Sequence, residues 1–352
     1  MVVMIGTDPH MFSHTLVASD GNGRQLAEKT VKAVPEGHLE ALRWASQWPE
    51  RVWALENSRH LVRRLEQDLL LAGEAVVRVP SRLMASARRT GRQRGKSDPI
   101  DALAVARAAL REPGLPVAQL EGCGREIRLL VDHREDLVGA RSQMQNRLRW
   151  HLHELKPGYR VAAGALSRVA ALNKLKASLA GCSGTVGELA RELLGRIQEL
   201  TIRIEQLESQ LGQLVTPLAP SLLALQGCGV LTAAKIMGEV GNISRFRSQA
   251  AFARYNGSAP IPVWSGNTDH HRLNPGGNRQ LNAALHRIAI TQARSEGLGR
   301  PYLEHRLREG DTKKEAVRAL KRRLSDEVYR RLRSDEGAHG SIPTETSNAQ
   351  AA

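Results

Sequence analysis

Nine apolar residues recur in alternating steps of four and three between Val186 and Leu214: Val186, Ala190, Leu193, Ile197, Leu200, Ile204, Leu207, Leu211 and Leu214. That spacing is a coiled-coil seam of about four heptads. Pro217 and Pro220 end it, because proline removes a backbone donor and clashes with the preceding turn. Residues 125–156 form a second strongly helical stretch. The seam can be buried in a helical hairpin with 125–156, or it can join long helices of different chains. A stripe this regular is expected to do the second, so residues 120–216 read as a helical coiled-coil oligomerisation arm. The arm divides the chain into 1–112 and 218–335, with a Ser/Thr/Gly/Ala-rich tail at 336–352 expected to be disordered.

Residues 1–112 read as α/β. Val2–Gly6 is a short apolar run. Strands around 15–18 and 25–30 follow, joined through Asp20-Gly21-Asn22-Gly23. Asp-Gly and Asn-Gly are hairpin signals because those positions take positive φ. A helical pattern covers 35–47, a buried strand 52–55, a helix 58–72 with Leu61, Leu65, Leu69 and Ala72 on one side, and a strand 74–79 stopped by Pro80. Three strands, a helix, then strand, helix, strand, helix is the order of a ribonuclease-H-like fold. Residues 111–124, with Pro113, Gly114, Pro116, Gly122 and Gly124, read as a linker.

The chain carries 51 Lys and Arg against 36 Asp and Glu, for a net charge of +15 and a pI near 10.4. Such a balance points to a polyanionic partner, nucleic acid by default. Aromatics make up only 3%, so broad base stacking is not expected to dominate binding. Cys123, Cys182 and Cys228 are far apart with no C-x-x-C spacing, which argues against a zinc site or a disulfide framework. The N-terminal apolar run is too short for a signal peptide and no stretch is long enough for a membrane span. A cytoplasmic protein, associated with the nucleoid when bound to DNA, is expected.

Four acids stand at element ends in this charged background: Asp8 after the first apolar run, Glu56 after Val52-Trp53-Ala54-Leu55, and Asp98 and Asp101 at the start of an Ala/Leu-rich helix. Asp98 and Asp101 are one turn apart and share a helix face; the helix dipole favours both as anions. Mg²⁺ takes carboxylate oxygens together with substrate phosphate, and two such ions stabilise attacking and leaving oxygens in phosphoryl transfer. Singly, each acid has a plainer reading: Asp98 as a helix N-cap, Asp8 as a turn residue, Glu56 as a surface acid. Just before Asp98, Arg88, Arg89, Arg92, Arg94 and Lys96 fall with two glycines in nine residues. That run reads as a solvated loop or, beside the acids, a phosphate clamp.

The last part opens with residues 222–237, a helix, a Gly-x-Gly turn and a second helix. It reads equally as a helix-hairpin-helix or a plain helical hairpin. Further on come Trp264-Ser265-Gly266-Asn267-Thr268 and His271-Arg272-Leu273-Asn274-Pro275-Gly276-Gly277-Asn278-Arg279-Gln280-Leu281. Asn278 is placed to cap the following helix. Ser265 reads as a loop serine, since an unassisted hydroxyl is a poor nucleophile, unless a metal site from another domain activates it. Arg272 and Arg279 are candidate nucleic-acid contacts.

Taken together, Gly6-Thr7-Asp8-Pro9-His10, Ala54-Leu55-Glu56, Lys96-Ser97-Asp98-Pro99-Ile100-Asp101-Ala102, Ser265-Gly266 and Gly276-Gly277-Asn278-Arg279-Gln280-Leu281 resemble the DEDD transposases of the insertion-sequence-110 family, relatives of the Piv-type DNA invertases. The resemblance spans nearly the whole chain; Met11 stands where a basic residue commonly follows the histidine. It implies a RuvC-like domain binding Mg²⁺, or Mn²⁺ in its place, through Asp8, Glu56, Asp98 and Asp101. It also implies a mostly α C-terminal transposase domain in which Ser265 attacks a DNA phosphodiester and holds the strand as a phosphoserine. Donor and target DNA, a structured guide RNA from the element and a homo-oligomer, dimer or tetramer, are the implied partners. Two other readings compete: a RuvC-type metal-dependent nuclease or junction resolvase that needs no serine, and a non-enzymatic nucleic-acid-binding coiled-coil protein, which leaves the acids unexplained.

Overall fold

The computed structural model describes residues 2–56, 61–80, 83, 97–112, 114–115, 117–120, 123–265, 268–272, 274 and 276–339. The chain divides into two compact units, Met1–Glu121 and Gly122–Ala352.

In the first unit β1 (Val3–Pro9), β2 (Ser13–Ser19), β3 (Gln25–Lys32), β4 (Arg51–Glu56) and β5 (Val76–Val79) form one sheet in the order β3-β2-β1-β4-β5. β2 is antiparallel to β1 and β3, whereas β4 runs parallel to β1 and β5 parallel to β4. The order matches the ribonuclease-H-like expectation. The β2–β3 turn is held by Asp20, whose Oδ1 accepts from Asn22 N at 3.0 Å and Arg24 N at 2.8 Å.

Helices cover both faces of the sheet. α1 (Pro35–Ala45) and α2 (Arg63–Leu71) pack on one face against Ile5, Leu16, Trp53 and Leu55. α3 (Asp98–Arg111) packs on the other, its Ala104, Val105 and Ala108 clustering with Ala54 and Val79. The expected helix 58–72 is shorter, α2 beginning at Arg63, with residues 57–60 outside the described residues. Gly6 lies where α3 crosses β1: a Cβ there would meet Ala102 O, Ala106 N at 2.6 Å and Ala106 Cβ at 2.9 Å. Only glycine allows that approach.

In the second unit α4 (Cys123–Leu155) and α6 (Gly184–Leu218) run antiparallel, with α5 (Val169–Leu179) near the far end. Arg134 donates from Nε to Glu208 Oε1 at 2.9 Å, and Arg141 NH1 to Thr201 Oγ1 at 3.2 Å. Leu148 and Leu152 cluster with Ala190, Leu194 and Ile197. This is a correction to the expected arm. The heptad stripe is buried within one chain, as the helical-hairpin alternative has it. The buried positions on α6 are Gly187, Ala190, Leu194, Ile197, Thr201, Ile204, Leu207, Leu211 and Val215. Val186, Leu193, Leu200 and Leu214 each yield to the next residue. Two adjacent stripes fit the same period, and the partner helix decides which one is covered.

The remainder packs as α7 (Pro220–Leu223), α8 (Val230–Val240), α9 (Gln249–Tyr255), a hairpin of β6 (Ile261–Ser265) and β7 (Thr268–Arg272), α10 (Arg279–Arg294), α11 (Gly299–Arg308) and α12 (Lys313–His339). Phe252, Leu285, Ile288, Leu320 and Val328 share a core with Ile127 and Val131 of α4. The first helix of the supposed helix-hairpin-helix is a single turn. Gly227 in the turn after it has φ +86, and a Cβ there would press on Thr291 Cβ at 3.0 Å. The glycine thus serves packing against α10, as in a plain helical turn. Residues 336–339 continue α12 rather than starting a disordered tail. Just before them, Asp335 accepts from Ser221 N and Leu222 N at the start of α7, which ties the end of α12 down. Residues 340–352 lie outside the described residues.

Candidate active site

Side chains alternate across a strand, so Asp8 shares the α3 face with Gly6, and Glu56 shares it with Ala54. The parallel register pairs Thr7 with Leu55, so the two acids sit one residue further on at neighbouring strand ends. α3 starts with Asp98 and Asp101 in its first turn. Because Gly6 lets α3 settle directly on β1, that turn is carried to the strand ends. Asp98 is not the N-cap; Ser97 occupies that position, and its carbonyl accepts from Asp101 N at 3.0 Å.

Asp8, His10 and Asp98 bring one ligand atom each within 4.8 Å of one another. His10 Nε2 lies 3.2 Å from Asp8 Oδ2 and 3.4 Å from Asp98 Oδ1. Asp8 and Asp101 are buried, whereas Asp98 is exposed. The Asp8 carboxyl is held above the usual carboxylate range: burial raises it most, His10 opposes, and the charges of Asp101, Asp98 and Glu56 raise it further. Of the four expected acids, Asp8 and Asp98 come together with His10, and Asp101 and Glu56 lie near enough for their charges to bear on Asp8. His10 is the member that sequence reasoning missed.

A buried carboxylate crowded by three others is destabilised unless a cation joins it. An oxygen-rich set of this kind suits Mg²⁺ or Mn²⁺. His10 stands between the two nearest carboxylates. Arg88, Arg89, Arg92, Arg94 and Lys96 lie outside the described residues.

Ser265 is not in a plain loop. It closes β6 and pairs with Thr268 across a two-residue connection, Gly266-Asn267. Gly-Asn between two short runs is itself a hairpin signal, and it marks the strands that the sequence reading left unassigned. The serine side chain lies outside the described part of the structure.

The base of this hairpin is fastened. Asn278 Oδ1 accepts from Leu281 N at 2.9 Å, capping α10 as expected, while its Nδ2 donates to Glu239 Oε2 at 2.6 Å. Asn278 N donates to Tyr255 O at 2.7 Å. A Cβ on Gly277 would collide with Gly257 N and Cα and with Asn256 C at 2.9 Å, so the two ends of the 257–277 segment touch backbone to backbone. Arg272 on β7 and Arg279 at the first position of α10 are both exposed.

Comparison with known proteins gives two matching family profiles: a DEDD transposase profile over residues 5–157 and one for transposases of the IS116/IS110/IS902 family over 219–304. The chain is 26% identical over 381 residues to an uncharacterized 44.8 kDa protein of insertion element IS116 from Streptomyces clavuligerus, covering 94% of each. It is 23% identical to an uncharacterized 42 kDa protein of insertion element IS900 from Mycobacterium paratuberculosis, covering 97% of this chain and 98% of the relative. Among solved structures, a T. thermophilus RuvC in complex with a Holliday junction substrate matches 31% of this chain and 94% of its own, at 17% identity and a TM-score of 0.25.

Proposed function

From the premise that this chain belongs to the insertion-sequence-110 family of DNA transposases, we propose that it cuts and rejoins DNA with a divalent-metal centre at the acid cluster and with Ser265 as nucleophile. Asp8, Glu56, Asp98 and Asp101 are the residues that would hold Mg²⁺ or Mn²⁺. A metal bound there supplies Lewis-acid stabilisation to the charge that builds on phosphate oxygens. The observation that carries the reading is the convergence of Asp8, His10 and Asp98, with Asp101 and Glu56 acting on the same buried carboxyl.

In this reading Ser265 Oγ forms a bond to phosphorus as the bond from phosphorus to a deoxyribose oxygen breaks. The serine proton passes to a base and the departing oxygen takes one up. The strand is then held as a phosphoserine, and attack by another strand's hydroxyl reverses the step without hydrolysis. The place of Ser265 at the end of β6, in a hairpin whose base Gly277 and Asn278 fasten, supports this role, since nucleophilic attack requires a positioned group. Arg88, Arg89, Arg92, Arg94, Lys96, Arg272 and Arg279 would contact nucleic-acid phosphates.

Donor and target DNA are the proposed substrates, and the family resemblance adds a structured guide RNA. An oligomer would form through surfaces other than the stripe that α4 already covers. Among the described residues no helix is long and apolar enough to cross a membrane.

The test is to trap a protein–DNA adduct on a labelled fragment carrying the element's ends. Wild type with Mg²⁺ is expected to give an SDS-stable adduct that Ser265→Ala and Asp8→Asn both lose. Metal-dependent cleavage with no adduct in wild type would instead establish the RuvC-type reading, with water as nucleophile. Mixing Asp8→Ala with Ser265→Ala chains restores activity only if the two groups come from different protomers.

A further inference from the structure

α10 and α12 pack together in the second unit, and cations gather where they meet. Arg279, Asn282 and His286 follow one another on α10 in steps of three and four, and Lys314, Arg318 and Lys321 do so on α12 in steps of four and three; such spacings share a helix face. The two faces meet, since Lys321 Nζ donates to Asn282 Oδ1 at 2.5 Å. Lys321 is half-buried, whereas Arg318, His286, Arg279 and Lys314 are exposed.

Several other arginines on α12 are paired with carboxylates: Arg322 with Asp326, Arg331 with Glu327, Arg333 with Glu336. Here, among the described residues, no carboxylate lies within ion-pair distance of Lys321, Arg318 or His286. The carboxylate of Glu315, one turn before Arg318, accepts from Thr312 N and Oγ1, and Arg318 acts on it least of all. The neighbours of Lys321 instead push its ammonium below the usual lysine range, burial first and Arg318 second. His286 is lowered in the same way, by burial and then by Lys321. A half-buried ammonium beside other cations, with only a neutral amide as partner, is a standing cost to the fold. It is the arrangement expected where an anion completes the site.

We propose that the α10–α12 groove is a DNA backbone site, in which Lys321, Arg318 and His286 take a phosphate, with Arg279 and Lys314 at its two sides. The choice of DNA over RNA rests on the reading given above. Asn282, which holds Lys321, donates through Nδ2 to Asn256 O at 2.8 Å, at the foot of the segment that carries Ser265. A strand phosphate held here is thus tied through two side chains to the serine hairpin. Lysine at such a position acts as a point charge toward phosphate, and each contact adds to the salt dependence of binding.

The test is the salt dependence of binding to a labelled 30-bp duplex of arbitrary sequence, without divalent metal so that no cleavage runs. Lys321→Gln together with Arg318→Gln is expected to reduce the slope of log K against log salt by roughly one to two, at about 0.9 per phosphate contact. Lys321→Arg is expected to leave the slope unchanged. Removing like charge is also expected to keep or raise the melting temperature of the free protein, the opposite of what a merely structural lysine would show. An unchanged slope, or a lowered melting temperature with unchanged binding, overturns the proposal. A slope that changes only with a 30-nucleotide RNA hairpin overturns the assignment to DNA. Should Lys321→Gln not fold, Arg318→Gln alone, at an exposed position, carries the same test with a slope change of about one. Loss of the Ser265 adduct chemistry with this slope change intact would leave the groove standing, and the converse would leave the serine standing.

Discussion

Replacing Gly6 with alanine tests whether the seating of α3 on β1 is what assembles the acid cluster. The added Cβ would meet three atoms of α3, of which two are backbone: Ala102 O, Ala106 N at 2.6 Å, and Ala106 Cβ at 2.9 Å. None belongs to a long side chain that can swing away. Ordinary contact begins near 3.5 Å, so α3 must withdraw by roughly 1 Å. Overpacking of this kind costs about 1–3 kcal/mol, read as a lower urea midpoint in denaturation. The functional loss is expected to exceed the stability loss. Asp98 and Asp101 ride on the first turn of α3, and Asp8 lies two residues beyond Gly6 on the same face. Displacing reacting groups by about 1 Å costs on the order of 100-fold in rate. The assay is Mg²⁺-dependent cleavage of DNA carrying the element's ends, at a temperature where the variant remains folded. Gly21→Ala is the control, because a Cβ there meets nothing within 4 Å. If Gly6→Ala cleaves and melts like wild type, the close approach does not position the acids and the geometric reasoning fails.

His14 is buried with Nδ1 unpartnered, and stacks on His38 at 5.4 Å. Burial first, then His38 and His10, push it down to about 4. Its neutral form is favoured in the fold, so stability is full above the ordinary histidine value near 6.5. About 3 kcal/mol is lost as pH falls to about 4; His14→Phe should flatten that limb in acid titration of the urea midpoint. Asp8 has the opposite sign. Its raised carboxyl means that the metal-free fold loses stability as pH rises through that titration, so Mn²⁺ should raise the melting temperature at neutral pH and little in acid, and Asp8→Asn should abolish the difference. A Leu207→Ala change, at a position buried on α6, should cost about 2–5 kcal/mol. Light scattering should show its oligomeric state unchanged, because α4 of the same chain covers that face. Gly277→Ala should lower both stability and adduct yield, since the two ends of the 257–277 segment leave no room for a Cβ.

The α/β character of the first unit, its succession of strands and helices and the place of four acids at element ends were legible because each rests on local signals. Apolar runs mark the strands, Asp-Gly and Asn-Gly mark the hairpin, and an acid pair three residues apart marks a helix start. The family resemblance was equally a property of residue order. His10 was not legible: a histidine two residues from an aspartate joins a cluster only if a distant helix brings Asp98 to it. The α6 stripe shows the limit in another way. Its period determined that a long amphipathic helix forms, but Leu193 and Leu194, or Leu214 and Val215, satisfy that period equally. Only packing against α4 chose between them and placed the partner in the same chain. The acidic quartet and the α10–α12 cations make the final contrast. Sequence alone supplied the charges, because charge is a property of each residue. Which of them crowd one another, and so require an opposite ion, was decided by tertiary structure, because burial and distance set the energy of a charge and neither is written along the chain.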